Sequence, residues 1–131
     1  MGMRLKISST LLARLVAESA ASANEVCGLL FGTGEEVVHA VKCANVAADP
    51  ATTFEVDPAS LIAAHKAARA GGPGLLGHYH SHPNGSCEPS ARDAEAAMGD
   101  GALWLILTGT GGRLWRTRVV GVFEEVAIEA C

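Results

Sequence analysis

Helical segments alternate with short apolar strands along this chain, and their order limits the fold more than any other feature of the sequence. Helices are predicted at 9–21 with Ser8 or Ser9 as N-cap, at 58–70 with Asp57 as N-cap, and from Ser90 to about Met98. Strands are predicted at 27–31, 36–44, 53–56, 75–82, 103–108, 113–120 and 122–129. Helices interleaved with strands in this order indicate an α/β layered fold.

Length and composition narrow the class of protein further. A chain of 131 residues is expected to form one domain, covering residues 1–131. The net charge is -4 and the ten basic residues are scattered, which argues against a nucleic-acid partner. No stretch approaches the roughly 20 apolar residues of a membrane span, and no secretory signal is present, so we expect no membrane partner. Four cysteines without a CxxC pair indicate reduced thiols in the cytoplasm.

Three histidines alternate along the predicted strand at 75–82. Because successive side chains of a strand point to opposite faces, His78, His80 and His82 are expected to share one face. Imidazoles that lie so close together are stabilised as neutral ligands of a metal ion, and zinc is commonly bound in this way. An HxH pattern by itself is equally consistent with a strand face on which each histidine is hydrogen-bonded separately.

A serine and an aspartate follow the histidine strand at a spacing that adds a third ligand. In Ser90-Ala91-Arg92-Asp93, a serine followed three residues later by an acid is typical of a capping box at a helix start. The same helix start would also bring Asp93 to the end of the histidine strand. Two histidines and one carboxylate leave a fourth tetrahedral position for water, as hydrolytic zinc sites require.

Glu25 lies immediately before the first apolar strand and would usually be a solvated loop residue. Its surroundings, Asn24-Glu25-Val26-Cys27-Gly28-Leu29-Leu30-Phe31-Gly32, resemble the first element of the JAMM (JAB/MPN-plus) metallopeptidases. The family pattern continues with His-Ser-His-Pro, seven residues, a serine, two residues and an aspartate. His80-Ser81-His82, Ser90 and Asp93 match it at every defining position. The resemblance is to the short bacterial members and extends over nearly the whole chain.

The resemblance implies a fold and a set of roles. The fold is a single-domain, three-layer α/β/α structure of the JAB/MPN type, similar to cytidine deaminases, with a mixed and curved central sheet. His80, His82 and Asp93 would bind one Zn²⁺ per chain, Glu25 would be the general acid and base, and Ser90 would stabilise the oxyanion. Two alternatives stay open, namely that His78 binds the metal and that the Cys87 thiol occupies its open position.

The resemblance also implies an activity. The first candidate activity is hydrolysis of the peptide or isopeptide bond after the C-terminal Gly-Gly of a ubiquitin-like or sulfur-carrier protein. Such an activity could belong to cysteine or sulfur metabolism. The alternatives are a non-catalytic MPN scaffold and a peptidase acting on small peptides. A scaffold generally lacks one or more ligands, whereas Glu25, both histidines, Ser90 and Asp93 are present here. The sequence is compatible with a monomer or a homodimer.

Overall fold

The computed structural model describes residues 4–131, and its elements follow the predicted order, with one strand added and the strand predicted at 53–56 not formed. The strands are β1 (Arg4–Ile7), β2 (Cys27–Gly32), β3 (Glu36–Cys43), β4 (Gly74–Ser81), β5 (Leu103–Leu107), β6 (Gly112–Val119) and β7 (Val122–Ala130). The helices are α1 (Ser9–Ala20), α2 (Pro58–Arg69) and α3 (Ala91–Ala96). Ser8 caps α1 by accepting the Leu11 N–H at 3.0 Å, and Asp57 caps α2 by accepting the Ala59 N–H at 3.3 Å.

The strands form one mixed sheet that closes on itself. β2 pairs antiparallel with β3 and β4, β4 pairs parallel with β5, and β5, β6 and β7 pair antiparallel in sequence order. β1 was not predicted, because it has only four residues and its partners, β3 and β7, are distant in sequence. It pairs parallel with both and closes the sheet. The predicted α/β fold with a mixed, curved sheet is confirmed.

The helices α1 and α2 cover different faces of the sheet. Leu15 of α1 belongs to the larger apolar cluster, together with Leu30 and Tyr79. Ala64 of α2 belongs to a smaller cluster that contains Leu29. Since neighbouring residues of a strand point to opposite faces, Tyr79 faces the first cluster while its neighbours His78 and His80 face the α2 side. Packing of the apolar residues therefore fixes the direction in which the histidines point.

Two predicted elements are shorter than expected. α3 ends at Ala96 rather than near Met98, because the Ala97 carbonyl accepts the Gly121 N–H at 3.1 Å from the β6–β7 turn. The strand predicted at 53–56 is reduced to one bridge between Val56 and Asn45. No helix within residues 4–131 is both long enough and apolar enough to span a membrane.

Candidate metal centre

Three side chains meet at the carboxyl end of β4. The His80 Nε2 atom lies 3.2 Å from the His82 Nε2 atom. Asp93 contacts both rings, with Oδ1 at 3.2 Å from His80 Nε2 and Oδ2 at 3.0 Å from His82 Nε2. All three residues are buried. The three residues that the sequence predicted as metal ligands are therefore in mutual contact.

The start of α3 holds Asp93 in this position. The Ser90 hydroxyl oxygen accepts the Asp93 N–H at 3.0 Å, and the Ser90 N–H donates to Asp93 Oδ2 at 2.9 Å. This is the capping box that the sequence suggested as the simpler interpretation. The same carboxylate caps the helix and faces the histidines, so the two interpretations of this motif are compatible. Because its oxygen accepts the Asp93 N–H, the Ser90 hydroxyl keeps its own proton for another acceptor.

Glu25 is the fourth residue at this site. It is buried, and one of its carboxylate oxygens and one ring nitrogen of each histidine lie within 4.8 Å of one another. Among the described residues, one group of side chains has ligand atoms close enough to hold a metal ion together: Glu25, His80 and His82. Burial raises the pKa of Glu25 to about 7, with a smaller raising effect from the Asp93 charge. A carboxyl group with such a pKa can both accept and donate a proton near neutral pH.

The charges at the site are arranged around Asp93. Burial lowers the pKa of His80, which favours the neutral imidazole. Burial also opposes ionisation of His82 and Asp93. The hydrogen bond to Asp93 and its charge outweigh this effect and raise the pKa of His82, while the two histidine hydrogen bonds hold the pKa of Asp93 far below its usual value. Asp93 is therefore an anion with two imidazole nitrogens directed at it.

The donor set fits a small divalent cation. Tetrahedral sites with metal–ligand bonds of about 2.0–2.1 Å have ligand atoms about 3.3–3.4 Å apart. The three donor contacts of 3.0–3.2 Å are close to this spacing. The His82 Nδ1–H donates to the Ser86 carbonyl at 2.9 Å, which leaves the Nε2 lone pair as the ligand. A cleft of about 180 Å³ opens beside these atoms and is lined by Glu25, Ala51, Thr52, His82, Pro83, Asn84 and Ser90.

His78 and Cys87 lie outside this group. The His78 ring lies between Phe54 and Trp104, at centroid distances of 5.1 and 4.4 Å. The Cys87 thiol is 3.8 Å from the Thr108 hydroxyl oxygen, and the Cys87 carbonyl accepts the Trp115 indole N–H at 3.0 Å. Neither residue belongs to the group of closely spaced donor atoms found among residues 4–131.

The comparison with protein families decides what kind of chain this is. A family model described as prokaryotic homologs of the JAB domain matches residues 8–118. The chain belongs to this family. The resemblance to the short bacterial JAMM proteins is thus confirmed, and this prokaryotic JAB protein is a hydrolase of the JAMM class.

Named relatives and a solved structure agree with this assignment. The prokaryotic JAB protein is 38% identical over 106 residues to a desampylase of Haloferax volcanii, covering 79% of this chain and 76% of that protein. It is 40% identical over 68 residues to a probable TtuB-protein conjugate cleaving protease of Thermus thermophilus, covering 52% of this chain and 46% of that protein. The JAB1/MPN domain protein AF2198 of Archaeoglobus fulgidus has the same fold, with a TM-score of 0.61 at 22% identity over 98% of this chain and all of that one.

Two residues that contact the site were not singled out as functional from the sequence. Phe54 stacks on the His80 ring at a centroid distance of 4.2 Å, and the Asn45 side chain donates to the Glu25 carbonyl at 2.8 Å. The only signal in the sequence near these two residues is their position at the ends of the irregular segment between β3 and α2. An isolated asparagine or phenylalanine in such a segment carries no spacing pattern that predicts its contacts.

Proposed function

We propose that the prokaryotic JAB protein is a zinc-dependent peptidase or isopeptidase that hydrolyses the amide bond after the C-terminal Gly-Gly of a ubiquitin-like or sulfur-carrier protein. One observation carries the proposal: the buried Glu25 carboxylate lies beside the His80, His82 and Asp93 donors, at a cleft that also contains Ser90. A carboxylate base next to two histidines and an acid is the arrangement that hydrolysis by an activated water requires. A cytoplasmic location and a Zn²⁺ ion, one per chain, are parts of the same proposal.

The residues of the site have different roles in metal binding, proton transfer and stabilisation of the oxyanion. His80, His82 and Asp93 would hold a zinc ion, which would supply Lewis-acid chemistry at this site. Glu25 takes the proton of the attacking water and then delivers it to the leaving amine. The Ser90 hydroxyl, whose proton is free, donates to the oxyanion that develops on the carbonyl oxygen.

The relatives and the cleft support this kind of substrate. The two named relatives are a desampylase and a probable protease that cleaves TtuB-protein conjugates. The cleft of about 180 Å³ beside the ligand atoms can take a narrow, extended tail such as one that ends in glycines. An extended tail can also be held by main-chain hydrogen bonds along its length.

The proposal is tested with a panel of carrier proteins. Zinc-loaded protein is incubated with ubiquitin-like and sulfur-carrier proteins that end in Gly-Gly followed by a C-terminal extension, and the products are identified by mass. We expect cleavage immediately after the second glycine. Carriers in which the tail is changed from Gly-Gly to Ala-Ala serve as the matched control and should be cleaved far more slowly. Equal cleavage of both sets, or of neither, would contradict the proposed specificity.

Ser90→Ala is expected to lower turnover by about 10²–10³-fold, because one oxyanion donor is lost. It also removes the N-cap of α3, which costs about 1 kcal/mol of stability. Ser8→Ala is the matched control, since Ser8 caps α1 in the same way through the Leu11 N–H and lies outside the site. Steady-state kinetics and denaturant unfolding of both variants separate the two effects. Similar turnover in the two variants would limit Ser90 to its capping role.

A further inference from the structure

The side chain of Asn45 connects the backbone at Glu25 with the segment 45–56 beside the site. Its amide nitrogen donates to the Glu25 carbonyl at 2.8 Å and to the Thr53 carbonyl at 3.0 Å, with a longer contact of 3.4 Å to the Pro50 carbonyl. Its amide oxygen accepts the Ala47 N–H at 3.0 Å and the Glu55 N–H at 3.1 Å. Both N–H donors and both lone pairs of the side-chain amide are therefore in use.

These bonds fix the backbone of Glu25. The Glu25 carbonyl accepts from Asn45, and the Glu25 N–H donates to the Pro50 carbonyl at 2.7 Å. Both main-chain polar groups of Glu25 are thus bonded to the segment 45–56, whereas the next residue, Val26, is held by the Ser81 hydroxyl at 2.9 Å. The position of the Glu25 carboxylate consequently depends on the conformation of the segment 45–56.

The same side chain fixes Phe54 on the other side of the site. Asn45 bonds the Thr53 carbonyl and the Glu55 N–H, which flank Phe54 in the chain. The Phe54 ring stacks on His80 at 4.2 Å with an interplanar angle of 17°. Within residues 4–131, the buried His80 Nδ1 atom has no hydrogen-bond partner, unlike His82 Nδ1, which is bonded to Ser86. Packing against Phe54 therefore takes the place of a hydrogen bond in orienting the His80 ring.

We propose that Asn45 is a positioning residue for this active site. Its single amide holds the general base Glu25 through a bond to the Glu25 main-chain carbonyl and the metal ligand His80 through Phe54, and so fixes the Glu25 carboxylate and the His80 ring relative to each other. This inference rests on the proposed function, because it assigns Glu25 and His80 the roles given there. It adds a residue that contacts neither substrate nor metal and that acts only through the residues it holds.

The test compares Asn45→Ala and Phe54→Leu with the parent protein and with Thr33→Ala. The Thr33 hydroxyl accepts two backbone N–H groups at the opposite end of β2, so its variant loses bonds between a side chain and the backbone far from the site. Zinc affinity is measured by competition with a chromophoric chelator, metal geometry by the visible absorption of the Co²⁺-substituted protein, and kcat and KM on a carrier with a C-terminal extension. Unfolding by denaturant is measured for all four proteins.

We expect Asn45→Ala to lower kcat and zinc affinity by roughly 10- to 100-fold and to change the Co²⁺ spectrum, as is typical when a group that orients metal ligands is removed. Phe54→Leu should weaken zinc binding and change the spectrum, with a smaller loss of stability because no hydrogen bond is removed. Thr33→Ala should lose stability only. Parent-like zinc affinity, spectrum and kcat in Asn45→Ala would overturn the inference. A parent protein that neither binds zinc nor cleaves any carrier would instead overturn the proposed function.

Discussion

Glu25→Gln is expected to reduce cleavage of Gly-Gly carriers by about 10²–10⁴-fold while leaving zinc binding intact, because only the proton transfer is removed. Glutamine keeps the size and shape of the buried side chain, which is 7% exposed, but it cannot accept the proton of the attacking water. The expected effect is therefore on kcat. Single-turnover kinetics on an extended carrier, together with the zinc content of the purified variant, check this result.

The zinc content of Glu25→Gln also decides which carboxylate binds the metal. Glu25 and Asp93 both lie near the two histidines, and distance alone groups Glu25 with them. Asp93 contacts both Nε2 atoms at 3.0–3.2 Å, which is the reason for assigning it as the ligand. Loss of zinc from Glu25→Gln would reverse the assignment, whereas unimpaired cleavage with zinc bound would remove Glu25 from the mechanism.

Removal of zinc is expected to abolish cleavage and to lower stability. A chelator should reduce activity to background, and added zinc should restore it. Because an ion that binds only the folded chain shifts the folding equilibrium, free zinc at about 1,000 times Kd should stabilise the protein by about 4 kcal/mol. Denaturant unfolding with and without zinc measures this difference. A second variant, Asp93→Asn, tests the ligand itself. The amide oxygen of asparagine can still accept the Ser90 N–H, while the anionic ligand is lost.

In Asp93→Asn we expect no detectable cleavage and little stabilisation by zinc. The variant should remain folded, because the capping bond and the size of the side chain are retained. Zinc content and the zinc dependence of the unfolding midpoint are measured beside the parent and Glu25→Gln. Full zinc stabilisation of Asp93→Asn would show that the cluster does not bind the metal as proposed.

Local signals were sufficient to predict the elements that carry the site. Asp57-Pro58 begins α2 as expected, and the apolar run before Gly32 forms β2. Successive side chains of a strand alternate between its two faces, so His78 and His80 point to the same face. This could be predicted from the two-residue spacing alone. The capping box at Ser90 was visible from the spacing of serine and aspartate, and this motif carries Asp93.

The elements that the sequence did not predict correctly depend on partners outside the element. β1 is a strand because β3 and β7 lie on either side of it, and the alternation of polar and apolar residues in Arg4–Ile7 is too short to predict a strand by itself. The segment 53–56 has strand-like residues, but the Asn45 side chain bonds the Thr53 carbonyl and the Glu55 N–H in place of a neighbouring strand. In both cases hydrogen bonds to residues outside the element decide the outcome over local propensity.

The sequence by itself determined the chemistry available at the centre: two histidines, an aspartate, a glutamate and a serine at the spacing of the JAMM pattern. It did so because ligand type and strand or helix period are local properties. Only the tertiary structure decided that Asp93 reaches both histidines, that His78 packs between the rings of Phe54 and Trp104, and that Asn45 holds Glu25. These outcomes depend on contacts between residues far apart in the chain, which form only when the sheet closes and α3 packs against it.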